Sequence, residues 1–213
     1  MTPIAIVGSG GFAREVLCLI QDINQQTHEY EILGFIDGSI PKGQLINGYP
    51  IIGSDDDYVN EKIAVVFAFG EPHLKEKVSN KYKNGNVTFP TLIHPSVLIG
   101  DKKFVEYGNG CIICAGNILT TNIKLGDFVT LNLMCTVGHD TVIGNYSSFM
   151  PSVNISGEVI VGNNVYCGTG AKIINQTIIG KNTIIGAGAV VTKNLPVDCT
   201  AVGVPAKPIK FNK

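Results

Sequence analysis

The chain has 213 residues, 45% of them hydrophobic, and a formal net charge of −1 at pH 7. This near-neutral balance, with Arg14 as the single arginine, argues against binding to nucleic-acid phosphates or to an anionic membrane surface. The first residues have no basic region, and no apolar run approaches the roughly 20 residues of a membrane span. We therefore expect a cytoplasmic protein without membrane insertion.

Residues 1–90 predict a small, Rossmann-like α/β domain with a parallel sheet. Pro72 suits the first position of a helix, because its missing N–H needs no partner there. Sheets of this kind bind ligands at the carboxyl ends of their strands. The predicted elements are strands over 3–8, 30–36 and 61–69, helices after the turn at 8–11 and from Pro72, and an edge hairpin over 48–53.

A glycine-rich turn follows the first predicted strand, in the pattern Gly8-x-Gly10-x-x-Ala13, and Asp37 follows the second strand. This spacing matches a dinucleotide fingerprint, in which backbone amides at a helix N-terminus approach a phosphate. The domain is only about half of a full dinucleotide fold, so a mononucleotide or nucleotide sugar fits better than NAD. A glycine turn that binds nothing remains the alternative.

An apolar residue occupies every sixth position from 113 to 191. Neither a helix nor a plain strand has a period of six, whereas a parallel β-helix does, with three hexads closing one triangular coil. A second series, four residues later in each hexad, is small or apolar. The first series, which we call the ladder, consists of Ile113, Leu119, Leu125, Leu131, Val137, Ile143, Phe149, Ile155, Val161, Cys167, Ile173, Ile179, Ile185 and Val191.

The β-helix domain is predicted over residues 91–213, with its boundary between Pro90 and Pro95. An earlier hexad register runs through Ile93, Ile99 and Val105. Two extra residues separate that register from the ladder, and we expect them at 108–110, as an outward loop or a distorted corner.

Six cysteines lie among aliphatic residues, two of them, Cys135 and Cys167, at inward positions of the repeat. Cys111 and Cys114 form a C-x-x-C pattern, but no second pair or histidine cluster completes a zinc site. We expect buried free thiols and no metal ion.

His139 is the candidate catalytic residue. It lies two residues beyond the ladder residue Val137, at a coil corner, where a histidine can act as a general base near neutral pH. Asp140 could orient its ring if the corner breaks the alternation of a flat strand. An ordinary surface histidine is the alternative reading. A zinc hydratase would need about three histidine ligands, and of the four histidines only His94 and His139 lie in the coil.

Motifs in both halves of the chain resemble the hexapeptide-repeat acyltransferases. The hexads around residues 131–144, the segment 185–193 and the ending Val202-Gly203-Val204-Pro205-Ala206-Lys207 are typical of that superfamily. With the glycine-rich start and the segment 34–37, the chain resembles one branch end to end. This branch contains the bacterial nucleotide-sugar 4-amino N-acetyltransferases and the related sialic acid O-acetyltransferases.

The resemblance implies a left-handed β-helix that assembles as a homotrimer, with acetyl-CoA in the groove between neighbouring coils. It implies His139 as the catalytic base, Asp140 as the acidic residue that follows it, and Asn132 near the base. The residues placed at the nucleotide sugar are Gly10, Gly11, Phe12, Ile36, Asp37 and Gly38. Those placed along the acetyl-CoA groove are Ser148, Gly157, Thr169 and Ala187.

Two departures from the resemblance concern the site. Some members have a second histidine where this chain has Ser148, and some have a glutamate where Asp140 stands.

Further contacts are expected outside these positions. Gly157 could stabilise the oxyanion through its backbone N–H. Lys207 and Lys210 could contact CoA phosphates, although a solvated basic tail explains them equally well.

The predicted function is acetyl transfer from acetyl-CoA to the amine of a nucleotide-linked 4-amino sugar, with His139 as general base. Two alternatives remain open at this point. The first is O-acetylation of a sialic acid or another sugar hydroxyl, which no motif separates from N-acetylation. The second is a non-catalytic trimer that binds nucleotide sugars and does not bind CoA.

Overall fold

The N-terminal part of the chain forms a five-stranded sheet with strand order β3-β4-β2-β1-β5 in a computed structural model, which describes residues 1–211. Strands β1, β2, β4 and β5 are parallel, and β3 pairs antiparallel with β4 at the edge. The elements are β1 (Thr2–Val7), α1 (Gly11–Thr27), β2 (Tyr30–Ile36), β3 (Leu45–Ile46), β4 (Tyr49–Gly53), α2 (Asp55–Tyr58), β5 (Ala64–Phe67) and α3 (Pro72–Tyr82).

The predicted strands and helices of this region are confirmed, with differences at their ends. The strand expected over 61–69 is limited to Ala64–Phe67, and the edge hairpin begins earlier, at Leu45. Helix α2 was not predicted. Its N-terminus carries a capping box between Ser54 and Asp57, a signal present in the sequence.

The following region is a triangular parallel β-helix, in which each coil contributes one short strand to each of three sheets. Its first strands are β6 (Leu92–Ile93), β7 (Leu98–Ile99), β8 (Val105–Tyr107), β9 (Ile112–Ile113), β10 (Ile118–Leu119), β11 (Ile123–Leu125), β12 (Thr130–Leu131), β13 (Thr136–Val137) and β14 (Val142–Ile143). It continues with β15 (Ser148–Phe149), β16 (Asn154–Ile155), β17 (Ile160–Val161), β18 (Tyr166–Cys167), β19 (Lys172–Ile173), β20 (Ile178–Ile179), β21 (Ile184–Ile185) and β22 (Val190–Val191).

We number the three faces of this prism by the strands that form them. Face 1 contains β6, β9, β12, β15, β18 and β21, and the antiparallel hairpin β23 (Cys199–Val202) and β24 (Lys207–Phe211) extends it. Face 2 contains β7, β10, β13, β16, β19 and β22, and face 3 contains β8, β11, β14, β17 and β20. The chain passes from face 1 to face 2 to face 3 in each coil.

The ladder fills the interior of the prism, as predicted, and none of its side chains is more than 5% exposed. The second series is also buried, and hydroxyls within it bond to backbone carbonyls of the coil, such as Ser147 to Gly162 at 2.9 Å. Each corner contains one residue with left-handed backbone conformation, spaced six residues apart. These are Gly110, Gly116, Asn122, Phe128, Met134, Asp140, Tyr146, Ser152, Glu158, Asn164, Gly170, Gln176, Asn182 and Gly188.

The predicted position of the two extra residues is wrong. Leu125 pairs with Tyr107, so the ladder position of β8 is Tyr107 rather than Val105, and the insertion lies between Ile99 and Val105. A short 3-10 helix, Lys102–Phe104, occupies this segment. Residues 108–110 instead form an ordinary corner, in which Gly108 N–H donates to the Leu125 carbonyl at 2.9 Å.

The N-terminal sheet and helices cover the lower part of face 1. Leu92 and Ile112 point outward from this face and pack against α1. Beside them Phe67 contacts Phe128, with ring centroids 5.6 Å apart, and Phe128 stacks on Tyr146 at 5.2 Å. The two regions therefore share apolar packing at their junction.

Five of the six cysteines are buried free thiols as predicted, whereas Cys18 is exposed on α1. Within residues 1–211, no helix is long and apolar enough to cross a membrane.

Candidate active site

His139 lies at the corner between β13 on face 2 and β14 on face 3, where its side chain is 56% exposed. Its Nδ1 is 2.8 Å from Asp140 Oδ2. Asp140 has φ +58°, so the corner breaks the strand alternation and lets adjacent side chains meet. Because a carboxylate only accepts hydrogen bonds, this contact places the proton of the neutral imidazole on Nδ1, which leaves the lone pair of Nε2 free.

Asn122 holds Asp140 from the coil below, with its Nδ2 donating to Asp140 Oδ1 at 3.0 Å. The hydrogen bonds from His139 and Asn122 lower the pKa of Asp140, so its carboxylate is ionised at neutral pH. Asn122 was not predicted as a site residue. The 18-residue coil length, which places positions 122 and 140 one above the other, is the signal that could have found it.

Gly157 lies one coil above His139, against its imidazole ring. A Cβ atom at position 157 would lie 2.5 Å from His139 Nε2, so any larger residue would displace the ring. Among residues 1–211, no acceptor is hydrogen bonded to the Gly157 N–H. His139 Nε2 and the unpaired Gly157 N–H thus lie at the same corner of the β-helix.

The predicted nucleotide site lies at the carboxyl edge of the N-terminal sheet. Gly10 is the N-cap of α1, and a Cβ there would meet no atom within 4 Å, so this turn is open toward the solvent. Ser39 N–H and Ser39 Oγ donate to Asp37 Oδ1 at 2.9 and 2.6 Å, and Ser9 donates to Asp37 Oδ2. Partial burial raises the pKa of Asp37, but the hydrogen bonds from Ser39 and Ser9 outweigh it, and the net pKa is lowered.

The other residues predicted around the nucleotide are close to this turn. Gly11 begins α1, Phe12 follows it and is half-buried, and Gly38 directly follows Asp37. Ile36 is buried within β2, and its carbonyl accepts from Gly8 N–H at 2.9 Å, so its side chain is part of the sheet rather than of the open edge.

The residues predicted along the acetyl-CoA groove do not share one edge of the chain. Thr169 and Ala187 are exposed at the corner between faces 1 and 2, whereas His139 and Gly157 are at the corner between faces 2 and 3. Asn132 is also at the first of these corners. It is buried, with its Oδ1 accepting from Leu133 N–H at 2.7 Å, and no hydrogen bond joins it to His139 in the described chain.

Ser148 lies away from any open groove. It is fully buried on face 1, and its hydroxyl accepts a hydrogen bond from Lys75 Nζ of α3 at 3.0 Å. No local sequence pattern indicates this contact, because it joins residues 73 positions apart. In this arrangement Ser148 is covered by α3 and has no exposed surface for acetyl-CoA, contrary to the predicted contact.

A cavity of about 460 Å³ opens between the N-terminal turn of α3 and the upper part of face 1. It begins at the carboxyl end of β5, on the same edge of the sheet as the glycine turn. Its lining residues are Gly70, Glu71, Pro72, His73, Asn164, Tyr166, Asn182 and Ile184. Lys207 and Lys210, the predicted contacts of CoA phosphates, are exposed on β24.

Known proteins share this arrangement over most of the chain. The model of the PglD N-terminal domain family matches residues 3–82. GDP-perosamine N-acetyltransferase of Escherichia coli O157:H7 is 31% identical over 164 residues, which are 75% of this chain and 72% of that protein.

Two solved structures extend the likeness to nearly the whole chain. PerB from Caulobacter crescentus, in complex with CoA and GDP-perosamine, is 27% identical, with a TM-score of 0.88 over 99% of this chain and 98% of its own. The acetyltransferase domain of PglB from Neisseria gonorrhoeae, in complex with acetyl coenzyme A, is 27% identical, with a TM-score of 0.87 over 98% and 99%.

A β-helix of hexapeptide repeats that follows a small α/β domain, with an exposed histidine at one corner, is typical of a hexapeptide-repeat acyltransferase. The chain belongs to the nucleotide-sugar N-acetyltransferase family that includes GDP-perosamine N-acetyltransferase. The predicted fold class, an α/β domain followed by a left-handed parallel β-helix, is confirmed. So is the predicted activity, acetyl-CoA-dependent N-acetylation of a nucleotide-linked 4-amino sugar.

Proposed function

We propose that His139 is the general base of this acetyl transfer and that the active unit is a homotrimer in the cytoplasm. The observation that carries the proposal is the geometry of one corner. His139 Nδ1 donates to an ionised Asp140, and Nε2 is left free beside the unpaired N–H of Gly157. An oriented imidazole with a free nitrogen is what general-base catalysis near neutral pH requires.

The reaction joins the sugar amine to the acetyl group and releases CoA. As the amine nitrogen attacks the thioester carbonyl, His139 Nε2 accepts the amine proton, and Asp140 stabilises the imidazolium that forms. In this proposal the unpaired Gly157 N–H donates to the carbonyl oxygen as its negative charge develops. When the carbon–sulfur bond breaks, His139 returns its proton to the leaving thiolate.

The acceptor is proposed to bind with its nucleotide at the glycine turn and Asp37, and with its sugar toward the cavity above face 1. The open space around Gly10 and the N-terminus of α1 suit a diphosphate. GDP-perosamine, which is bound in the PerB structure, is the first acceptor to test on this chain.

A trimer is supported by the separation of the predicted acetyl-CoA contacts. Thr169 and Ala187 are at one corner of face 2, and His139 and Gly157 are at the other. Corners of two neighbouring chains would bring both sets to one ligand, and rotational symmetry then completes every site.

The test replaces His139 by alanine. Turnover is expected to fall about 10²–10⁴-fold, the usual effect of losing a general base, while acetyl-CoA affinity and oligomeric mass stay the same. His28→Asn is the matched control, because His28 is the remote C-cap of α1. Near-normal turnover of His139→Ala with GDP-perosamine and acetyl-CoA would refute the assignment.

A further inference from the structure

Helix α3 is joined to the β-helix by polar side chains along one of its faces. These contacts reach successive coils of the β-helix that are 55 to 88 residues from α3 in sequence, so they connect the N-terminal region to the β-helix. The bonds are Lys75 Nζ to Thr130 Oγ1 at 2.8 Å and to Ser148 Oγ at 3.0 Å, Asn164 Nδ2 to Glu76 Oε2 at 2.9 Å, and Ser79 Oγ to Tyr146 Oη at 3.3 Å.

The same helix begins at the proposed nucleotide edge. Glu71 is its N-cap and accepts from His73 N–H at 3.0 Å, and Pro72 opens the first turn directly after the carboxyl end of β5. Lys75 lies one turn further on. Its hydrogen bonds therefore fix the distance and angle between the nucleotide edge and face 1.

Lys75 is an unusual residue for this place, because it is only 1% exposed and its hydrogen-bond partners are two hydroxyls. The titratable groups that face it are Glu71 of its own helix and Cys111 of the β-helix. Burial lowers the pKa of Lys75 to about 7, because the charged amine loses its contact with water there.

Stability alone does not account for a buried amine of this kind. Well-packed apolar residues of similar volume are often as stable as a buried charged group, or more so. What an amine adds is direction, because hydrogen bonds restrict donor–acceptor distances to about 2.7–3.2 Å and favour near-linear angles. Apolar contacts have no such directional requirement and restrict the position of α3 along the face less tightly.

We propose that Lys75 is a positioning residue for acetyl transfer, which holds the nucleotide-binding edge in register with the β-helix through its bonds to Thr130 and Ser148. The inference rests on the proposed function. Lys75 touches neither ligand in this role. It aligns the acceptor amine with acetyl-CoA, and a misplacement of about 1 Å can cost on the order of 100-fold in rate.

The test removes all three polar groups while keeping their volume, in the variant K75M/T130V/S148A. We expect kcat to fall about 10–100-fold. The dissociation constants of acetyl-CoA and of GDP should stay within about twofold, since each ligand binds its own region. The melting temperature should be equal or higher, which separates misalignment from unfolding.

Two variants at position 130 provide the matched control. Thr130→Val keeps the side-chain shape and loses the acceptor, whereas Thr130→Ser keeps the acceptor and loses a methyl group. We expect kcat to fall several-fold in Thr130→Val and to stay near wild type in Thr130→Ser. A merely structural role predicts the reverse, because the methyl group would then matter more.

Wild-type kcat in the triple variant overturns the inference, as does a loss that appears equally in the affinity for GDP or acetyl-CoA. Failure of the proposed function looks different. In that case His139→Ala keeps near-normal turnover, whatever the triple variant does.

Discussion

Because Gly157 lies against the His139 ring, adding one methyl group at position 157 should affect catalysis. Gly157→Ala places a Cβ 2.5 Å from Nε2, so the ring must turn away, and kcat should fall at least about tenfold. The fold should tolerate alanine, because Gly157 is not among the residues with left-handed backbone. Steady-state kinetics and thermal melting check the two parts separately.

A double-mutant cycle shows whether the ring is the cause of the loss. In the His139→Ala background the added methyl group has no imidazole to displace, so Gly157→Ala should cost no further activity. An equal loss in both backgrounds would mean that Gly157 acts by another route, such as its N–H.

Contacts between residues close in sequence were predictable from the sequence, whereas contacts that depend on the packing of distant elements were not. His139 and Asp140 are neighbours in the chain, and the corner that turns them together follows from the six-residue period. Lys75 meets Ser148 only because α3 lies on face 1, and no local pattern encodes that contact. The prediction of Ser148 as a groove residue was wrong for this reason.

At the scale of the strand, adjacent isoleucines on β20 separate interior from surface. Ile179 is 1% exposed and points into the prism, whereas Ile178 is 47% exposed on face 3. Ile179→Ala should lower the free energy of unfolding by about 2–5 kcal/mol, because it leaves a cavity in a packed interior. Ile178→Ala should change it by less than about 1 kcal/mol. Urea unfolding of both variants measures the difference, and equal effects would contradict the ladder assignment.

The hexad ladder located nearly every strand because each inward position must be apolar. It failed in the first coil, where Val105 is buried as a member of the second series, like its neighbour Ile123, and Tyr107 is exposed at the ladder position. An apolar residue in either series satisfies the pattern, so the sequence could not place the insertion at Lys102–Phe104.

The junction between the two regions makes the stability of the whole molecule dependent on pH. The folded pKa of Lys75 is about 7, while a lysine in the unfolded chain titrates near 10.4. Between these values the unfolded state binds more protons, so the free energy of unfolding rises with pH by up to about 1.4 kcal/mol per unit. Below about pH 7 Lys75 is protonated in both the folded and the unfolded state, so its contribution to the free energy of unfolding no longer changes with pH.

Lys75→Met removes that contribution, and comparison with wild type cancels the other titrating groups. In urea unfolding, the free energy of unfolding of wild type should rise relative to that of Lys75→Met as the pH goes from 7 to 9.5. Parallel pH curves for the two proteins would show that Lys75 does not titrate in this window.

At the scale of the whole molecule, the geometry of the β-helix restricts how several chains can assemble. If one acetyl-CoA touches Thr169 and Ala187 of one chain and His139 of another, opposite corners of face 2 must meet neighbouring chains. Face 2 then turns toward the symmetry axis. Ile118 points outward on that face and is 41% exposed in the single chain.

Ile118→Glu would place three carboxylates near the axis of the proposed trimer and should convert it into monomers. Those monomers should lose acetyl-CoA binding, because each site would lack one corner, while Ile178→Glu on face 3 should keep both assembly and binding. Light scattering should give three times 22.7 kDa for wild type and one chain mass for Ile118→Glu. Calorimetric titration with acetyl-CoA gives the second readout. A monomeric wild type that acetylates the amino sugar at full rate would mean that one chain carries the complete site. All contacts with acetyl-CoA would then lie at a single corner of one prism.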